Sequence, residues 1–310
     1  MTETFLGLAP RAPDALARDP ADVAILGIAH GVPYPQPGPA GGTSEAPAAV
    51  RRRSQRLARF VHHFDFDLQG PMLPEGSAAN PALRLVDGGD VATSGDDPAG
   101  NVARAEKAIR TILAAGAVPI VLGGDDSVPI PVLRAFADQP PLTVVQVDAH
   151  LDFRDEVAGI RDGYSSPMRR ATEMEHVERI VQVGLRGVGS ARASDVADAR
   201  AAGNLIVTAR QLHEGGVASL VAQLPADASV FLAFDLDGLD PAVMPAVSGI
   251  APGGLGWDEA ADLLAGLTAR CRIAGAAFTE YVPALDVNER GALVVTRLVM
   301  LLVAGIARRR

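Results

Sequence analysis

Three short segments of this 310-residue chain concentrate carboxylates around one imidazole: Gly123-Gly124-Asp125-Asp126-Ser127, Asp148-Ala149-His150-Leu151-Asp152 and Asp235-Leu236-Asp237-Gly238-Leu239-Asp240-Pro241. Asp148, His150 and Asp152 recur every second residue, so in extended backbone they project to one side, and Asp235 and Asp237 do the same. Carboxylates brought that close raise one another's pKa unless a counter-charge sits among them. A pair of divalent cations supplies it. Oxygen donors with one imidazole and no thiolate suit Mn2+ first and Ni2+ second. An isolated Asp-x-Asp after a strand is ordinarily a turn or a cap, and Gly88-Gly89-Asp90 carries no further ligands. The joint occurrence of the three segments is what argues for a site.

These segments need elements to hold them. Short β-branched runs at Val23–Ile28, Leu83–Val86, Val118–Leu122, Leu142–Val147, Arg179–Gly184, Leu205–Thr208, Val230–Phe234 and Ile273–Phe278 read as strands. Helical patterns alternate with them, at Ser44–Phe60, Asn101–Ala115, Val128–Ala137, Ser166–Glu175, Ala191–Ala202, Gly216–Gln223, Trp257–Arg270 and Gly291–Ala307. Central runs such as VVQVD and VFLAFD are apolar on both faces, as strands of a covered parallel sheet must be. The alternation predicts a doubly wound α/β fold, in which ligands sit beyond the carboxyl ends of the strands. Each acidic segment follows directly on a predicted strand. No stretch reads as an interdomain linker, so residues 1–310 are expected to form a single domain, with an ordered core over about 22–307 and residues 1–21 as an N-terminal extension.

The bulk composition narrows the function. A net charge of −9 lacks the basic footprint of a nucleic-acid binder. The apolar run Gly291–Ile306 is shorter than a bilayer span and contains Arg297, so it reads as a buried helix rather than a membrane segment. One cysteine, Cys271, leaves no internal disulfide to form. These features fit a cytoplasmic enzyme.

GGDDS, DAHLD and FDLDGLDP, in that order and spacing, resemble the three metal-binding signatures of the arginase/agmatinase (ureohydrolase) family. FTEYVPALD (Phe278–Asp286) is similar to the family's fourth motif. The likeness runs from about Asp22 to the C-terminus. It implies a three-layer α/β/α sandwich around a parallel sheet of about eight strands, assembled as a homo-oligomer, a trimer or hexamer. It also implies two divalent ions per chain. Asp148 and Asp235 would bridge them, Asp126 and Asp152 would complete one site, and His150 and Asp237 the other. Glu280 would hold a guanidinium.

Two positions depart from the family pattern. Asp126 stands where the first motif has histidine. Tyr164, in Gly163-Tyr164-Ser165-Ser166, stands where many members have a pocket histidine; a phenol is a hydrogen-bond donor rather than a proton shuttle near neutrality. His30, after the first strand, could line the pocket mouth. Ser127 reads as a helix cap, and Arg186 as half of an ion pair.

The implied reaction is hydrolysis of a small guanidino compound, agmatine-like, with attack by a hydroxide held between the metals and release of urea and an amine. Asp152 is the expected proton donor to the leaving group. Competing readings are a non-catalytic assembly subunit, a hydrolase of another amidine, and a single-zinc deacetylase. The loops Gly31–Ser44 and Phe153–Ser166 would choose the substrate.

Overall fold

The computed structural model describes residues 3–34, 39–76 and 82–309. Part of the first expected specificity loop, residues 35–38, lies outside them. The chain runs β1 (Val23–Ile28), α1 (Ala46–Ser54), β2 (Phe64–Asp65), β3 (Gly70–Pro71), β4 (Leu85–Asp90), α2 (Pro98–Ala114), β5 (Val118–Gly123) and α3 (Pro129–Arg134). It continues through β6 (Leu142–Val147), α4 (Pro167–Ala171), β7 (Val177–Leu185), α5 (Ala193–Ala201), β8 (Leu205–Thr208), α6 (Ala209–Gly215) and α7 (Val217–Ala222). It closes with β9 (Ser229–Asp235), α8 (Trp257–Arg270), β10 (Arg272–Thr279) and α9 (Arg290–Arg309).

Eight of these strands form one sheet in the order β4-β1-β5-β10-β9-β6-β7-β8, and every neighbouring pair is parallel. Alternation within each strand feeds two cores. Val23, Ile25, Val145 and Val147 pack on one face with residues of α1, α7, α8 and α9, including Val50, Leu220, Leu263 and Leu298. Ala24, Leu26, Val144 and Phe231 pack on the other with Ile109 of α2, Leu133 of α3, Met168 of α4 and Ala199 of α5. The result is the expected α/β/α sandwich.

The differences from expectation have local causes. α6 is an added helix that starts on a capping box: Thr208 Oγ1 accepts from Gln211 N at 3.2 Å, while Gln211 Oε1 accepts from Thr208 N at 2.9 Å. Gly216, at φ 75°, ends it. The expected helix through Phe60 stops at Ser54, and its last turn is a separate 3-10 turn over Ala58–Phe60. Residues before β1 are not a loose extension: Phe5 and Leu6 enter one core and Leu16 and Ala21 the other, and Pro10 bridges Asp87. Helix α9 is long and apolar enough, by length and composition, to cross a membrane. Here its apolar side, with Val295, Leu298, Val299 and Leu302, is buried inside the protein.

Candidate functional site

The order of the central strands builds the site. β5, β10, β9 and β6 are consecutive neighbours, so residues far apart in sequence meet at one end of the sheet. Asp125 and Asp126 follow β5, Glu280 follows β10, Asp237 follows β9, which itself ends on Asp235, and Asp148 to Asp152 follow β6. Among the described residues, two groups place one ligand atom of each member within 4.8 Å of one another: Asp148, His150 and Asp237, and Asp126, Asp148, Asp152 and Asp235. Asp148 belongs to both groups. Asp235 belongs to one, and its Oδ1 accepts from Asp237 N at 2.8 Å.

Hydrogen bonds orient these carboxylates. Asp148 Oδ1 accepts from His150 N at 2.5 Å and Oδ2 from Gln146 Nε2 at 2.6 Å. Asp237 Oδ1 accepts from Ala149 N at 3.0 Å, and its Oδ2 lies 3.0 Å from His150 Nδ1. Asp126 Oδ1 accepts from Thr279 Oγ1 at 2.6 Å, and Glu280 Oε1 accepts from Asp126 N at 2.8 Å.

Sequence spacing predicted that Asp148, His150 and Asp152 share one side of an extended segment. They do not. The strand ends at Val147, and Asp152 takes φ 47°, so His150 turns to Asp237 while Asp152 joins Asp126. Glu280 also adopts positive φ, 69°. A non-glycine residue held there stores strain of about 1–3 kcal/mol, which the surrounding structure must offset. Two glycines keep the His150 ring in place by being small. A Cβ on Gly249 would sit 2.7 Å from His150 Cε1, and one on Gly189 would sit 2.6 Å from Cδ2.

Residues 21–305 match the model of the arginase family. The chain belongs to the arginase family. A guanidinopropionase of Pseudomonas aeruginosa is 32% identical over 259 residues, 82% of this chain and 77% of that protein. A mitochondrial agmatinase of Gallus gallus is 31% identical over 224 residues, 70% of this chain and 65% of that protein, so that match spans just under two thirds of its length. The solved structure of proclavaminate amidino hydrolase from Streptomyces clavuligerus superposes with a TM-score of 0.81 at 26% identity, covering 100% of this chain and 98% of that one.

In this arginase-family chain the ligand groups face a cleft of about 180 Å³, whose lining includes Asp126, His150, Asp152, Tyr164, Asp237 and Glu280. Tyr164 packs against Tyr34, ring centroids 4.3 Å apart, and Tyr34 Oη accepts from Ser165 N at 3.1 Å. His30 does not line the cleft. Its Nδ1 is 3.0 Å from Thr93 Oγ1. Among the described residues a wider hollow of about 520 Å³ opens at the amino end of the sheet, beside Asp22 and Val118, and none of the ligand groups reaches it.

The donor set fits divalent cations. Burial, then the Asp237 charge, pushes the Asp148 carboxyl up to about 6. Burial, then Asp148 for Asp126 and Asp152 and Asp237 for Asp235, raises those three well above the usual carboxylate range. Hydrogen bonds to Asp148 and Asp237 push His150 up to about 10. So many buried acids cannot all be ionised together without positive charge among them. Asp126, where the family pattern has histidine, still presents an oxygen donor to its group.

Two residues singled out in the sequence take roles other than those expected. Among the described residues Arg186 pairs with no carboxylate and caps backbone carbonyls instead. Its Nη2 donates to the carbonyl oxygens of Asp237 at 2.6 Å, Leu239 at 3.0 Å and Ala251 at 3.1 Å, pinning the segment after β9. Ser127 does not cap α3, whose N-cap is Val128. It bonds Asp125 and accepts from Val32 N at 2.6 Å, tying the loop after β1 to the loop after β5.

Proposed function

We propose that this chain is an agmatinase-like hydrolase of a small guanidino compound, releasing urea and an amine. The observation that carries the reading is one cleft in which two ligand groups share Asp148 and lie beside the Glu280 carboxylate. In this reading Asp148 and Asp235 would serve both of two divalent ions, Mn2+ by preference of the donors. Asp126 and Asp152 would complete one side, His150 and Asp237 the other. Bound there, the ions would supply Lewis acidity and acidify a water at neutral pH.

The side chains supply the rest. Burial, then the Asp125 charge, holds Glu280 up at about 8; a guanidinium arriving beside it favours the ionised form and is held by it. Its Oε1 accepts from Asp126 N and Ser248 lies beside the carboxylate, which would turn its charge to the substrate. Asp152 is the group that passes a proton to the departing amine. Tyr164 donates a hydrogen bond into the cleft; burial, then Tyr34, raises its pKa, which keeps the phenol protonated. His30 is left outside the mechanism. A cytoplasmic homo-oligomer, trimeric or hexameric, completes the proposal.

The test is urea release from a panel of agmatine, guanidinobutyrate, guanidinopropionate and arginine, with Mn2+ or Ni2+ added to metal-free protein. Urea from at least one metal-loaded reaction is the expected result, and silence across the panel with both ions bound would overturn the assignment. On the substrate found, Tyr164→Phe is expected to cost about 1–3 kcal/mol, roughly ten- to a hundredfold in kcat/KM, as for an unpaired buried polar partner. A loss beyond about a thousandfold, with both ions retained, would instead make the phenol the essential proton donor.

A further inference from the structure

Strands β6 and β7 each carry a glutamine flanked by valines, Gln146 in LTVVQV and Gln182 in VERIVQVGL. The two are register partners in the sheet, and both are fully buried, on the face where Val144 and Ile180 enter an apolar core. Buried amides are costly unless every donor and acceptor is met. Here the amides are linked in a line. Gln146 Nε2 donates to Asp148 Oδ2 at 2.6 Å, Gln182 Nε2 donates to Gln146 Oε1 at 2.6 Å, and Asn204 Nδ2 donates to Gln182 Oε1 at 2.9 Å. Gln182 Nε2 spends its second hydrogen on Leu151 O at 2.7 Å.

The line has a direction, and Asp148 dictates it. An ionised carboxylate only accepts, so Gln146 must present its nitrogen to it. Its oxygen then faces Gln182, which must answer with nitrogen, and so on to Asn204. Reversing any one amide sets like groups against each other. The line also touches the ligand-bearing loop twice, at Asp148 and at Leu151, between His150 and Asp152. Each Asp148 oxygen has two acceptor directions. His150 N takes one direction on Oδ1, toward which His150 Nδ1 also turns at 3.5 Å, and Gln146 takes one on Oδ2; Asp148 is the carboxylate common to both ligand groups.

We propose that Gln146, Gln182 and Asn204 are positioning residues that fix the Asp148 carboxylate for capture of two divalent ions. The inference rests on the reading of Asp148 as a metal ligand. The experiment titrates metal-free protein with MnCl2 by calorimetry, in the wild type, Gln146→Leu, Gln182→Leu and the double variant, with thermal melts of the metal-free forms as the folding control. Gln146→Leu is expected to weaken Mn2+ binding about ten- to a hundredfold, the range seen when an outer partner of a metal ligand is removed. Gln182→Leu is expected to lose less. The double variant should lose less than the product of the two single losses, because either single variant already breaks the Gln182–Gln146 bond, whatever the bond to Leu151 O adds; a merely structural role would make the losses multiply.

Wild-type affinity in Gln146→Leu, or losses that multiply, would overturn the proposal. Should Gln146→Leu not fold, Asn204→Leu at the far end carries the test. A loss of at least about twofold supports the relay, and unchanged affinity sinks it. Wild-type protein that takes up no Mn2+ would overturn the metal reading itself, a result distinct from indifferent variants.

Discussion

Asp148→Ala is expected to leave a folded chain that retains neither ion and releases no measurable urea. Asp148 is fully buried and is the carboxylate that the two ligand groups have in common, so its removal takes a donor from both at once. The remaining acids do not substitute for it, because Asp152 and Asp237 lie in different groups. Turnover should fall by at least about a thousandfold, the scale at which a preorganised charged group is lost. Elemental analysis should show metal content going from about two per chain to none. Asp148→Asn is the companion variant, since it keeps the shape and removes the charge. Asp235→Ala tests the second proposed bridge; it should lose both ions if Asp235 bridges, and only the ion beside Asp126 and Asp152 if its Oδ1 stays committed to Asp237 N. Undiminished metal in Asp148→Ala would falsify the bridging assignment.

Glu280→Gln is the second large effect, and it should separate substrate binding from metal binding. Glutamine keeps an oxygen able to accept from Asp126 N, the 2.8 Å bond that Glu280 Oε1 makes, so the loop after β5 should stay where it is. Only the negative charge facing the substrate disappears. Removing one member of a buried hydrogen-bonded charge pair costs about 2–5 kcal/mol, or roughly 30- to several-thousand-fold in kcat/KM at about 1.4 kcal/mol per decade. Metal content should not change. Full kcat/KM in this variant would mean that a guanidinium is held elsewhere or that the substrate has none. Loss of metal would mean that Glu280 supports the ligands instead.

The eight strands of the main sheet were legible as short β-branched runs, the central ones apolar on both faces, and the acidic segments were legible because each follows such a central run. Asp126, Asp148, His150, Asp152, Asp235, Asp237 and Glu280 meet at one end of the sheet. What brings them together was not legible. The adjacency β5-β10-β9-β6 is a property of strand order, which alternation along the chain does not encode. The separation of His150 from Asp152 depends on one positive φ at Asp152, a conformation that aspartate only occasionally adopts. Gln146 and Gln182 left a visible trace, the same V-Q-V triplet in two predicted strands, but a lone polar residue in an apolar run reads as tolerance until its partner across the sheet is known. The grip of Arg186 on carbonyl oxygens had no trace, because backbone acceptors are present everywhere.

The position of β10 governs the order in which the molecule can be assembled. Residues 272–279, the last of the main sheet's eight strands in sequence, pair with Ile120–Leu122 on one side and with Ser229–Asp235 on the other. Until they insert, β4-β1-β5 and β9-β6-β7-β8 are two separate half-sheets, each with an open inner edge of the kind that pairs with other chains. The join spans more than a hundred residues of sequence on the β5 side, so closing it is a slow, non-local step. Asp126 meets Thr279 and Glu280 only when that step is complete. A divalent ion that binds the finished site therefore favours the closed sheet by mass action and gives no help to the half-sheets, whose exposure during synthesis lasts until the final strand arrives.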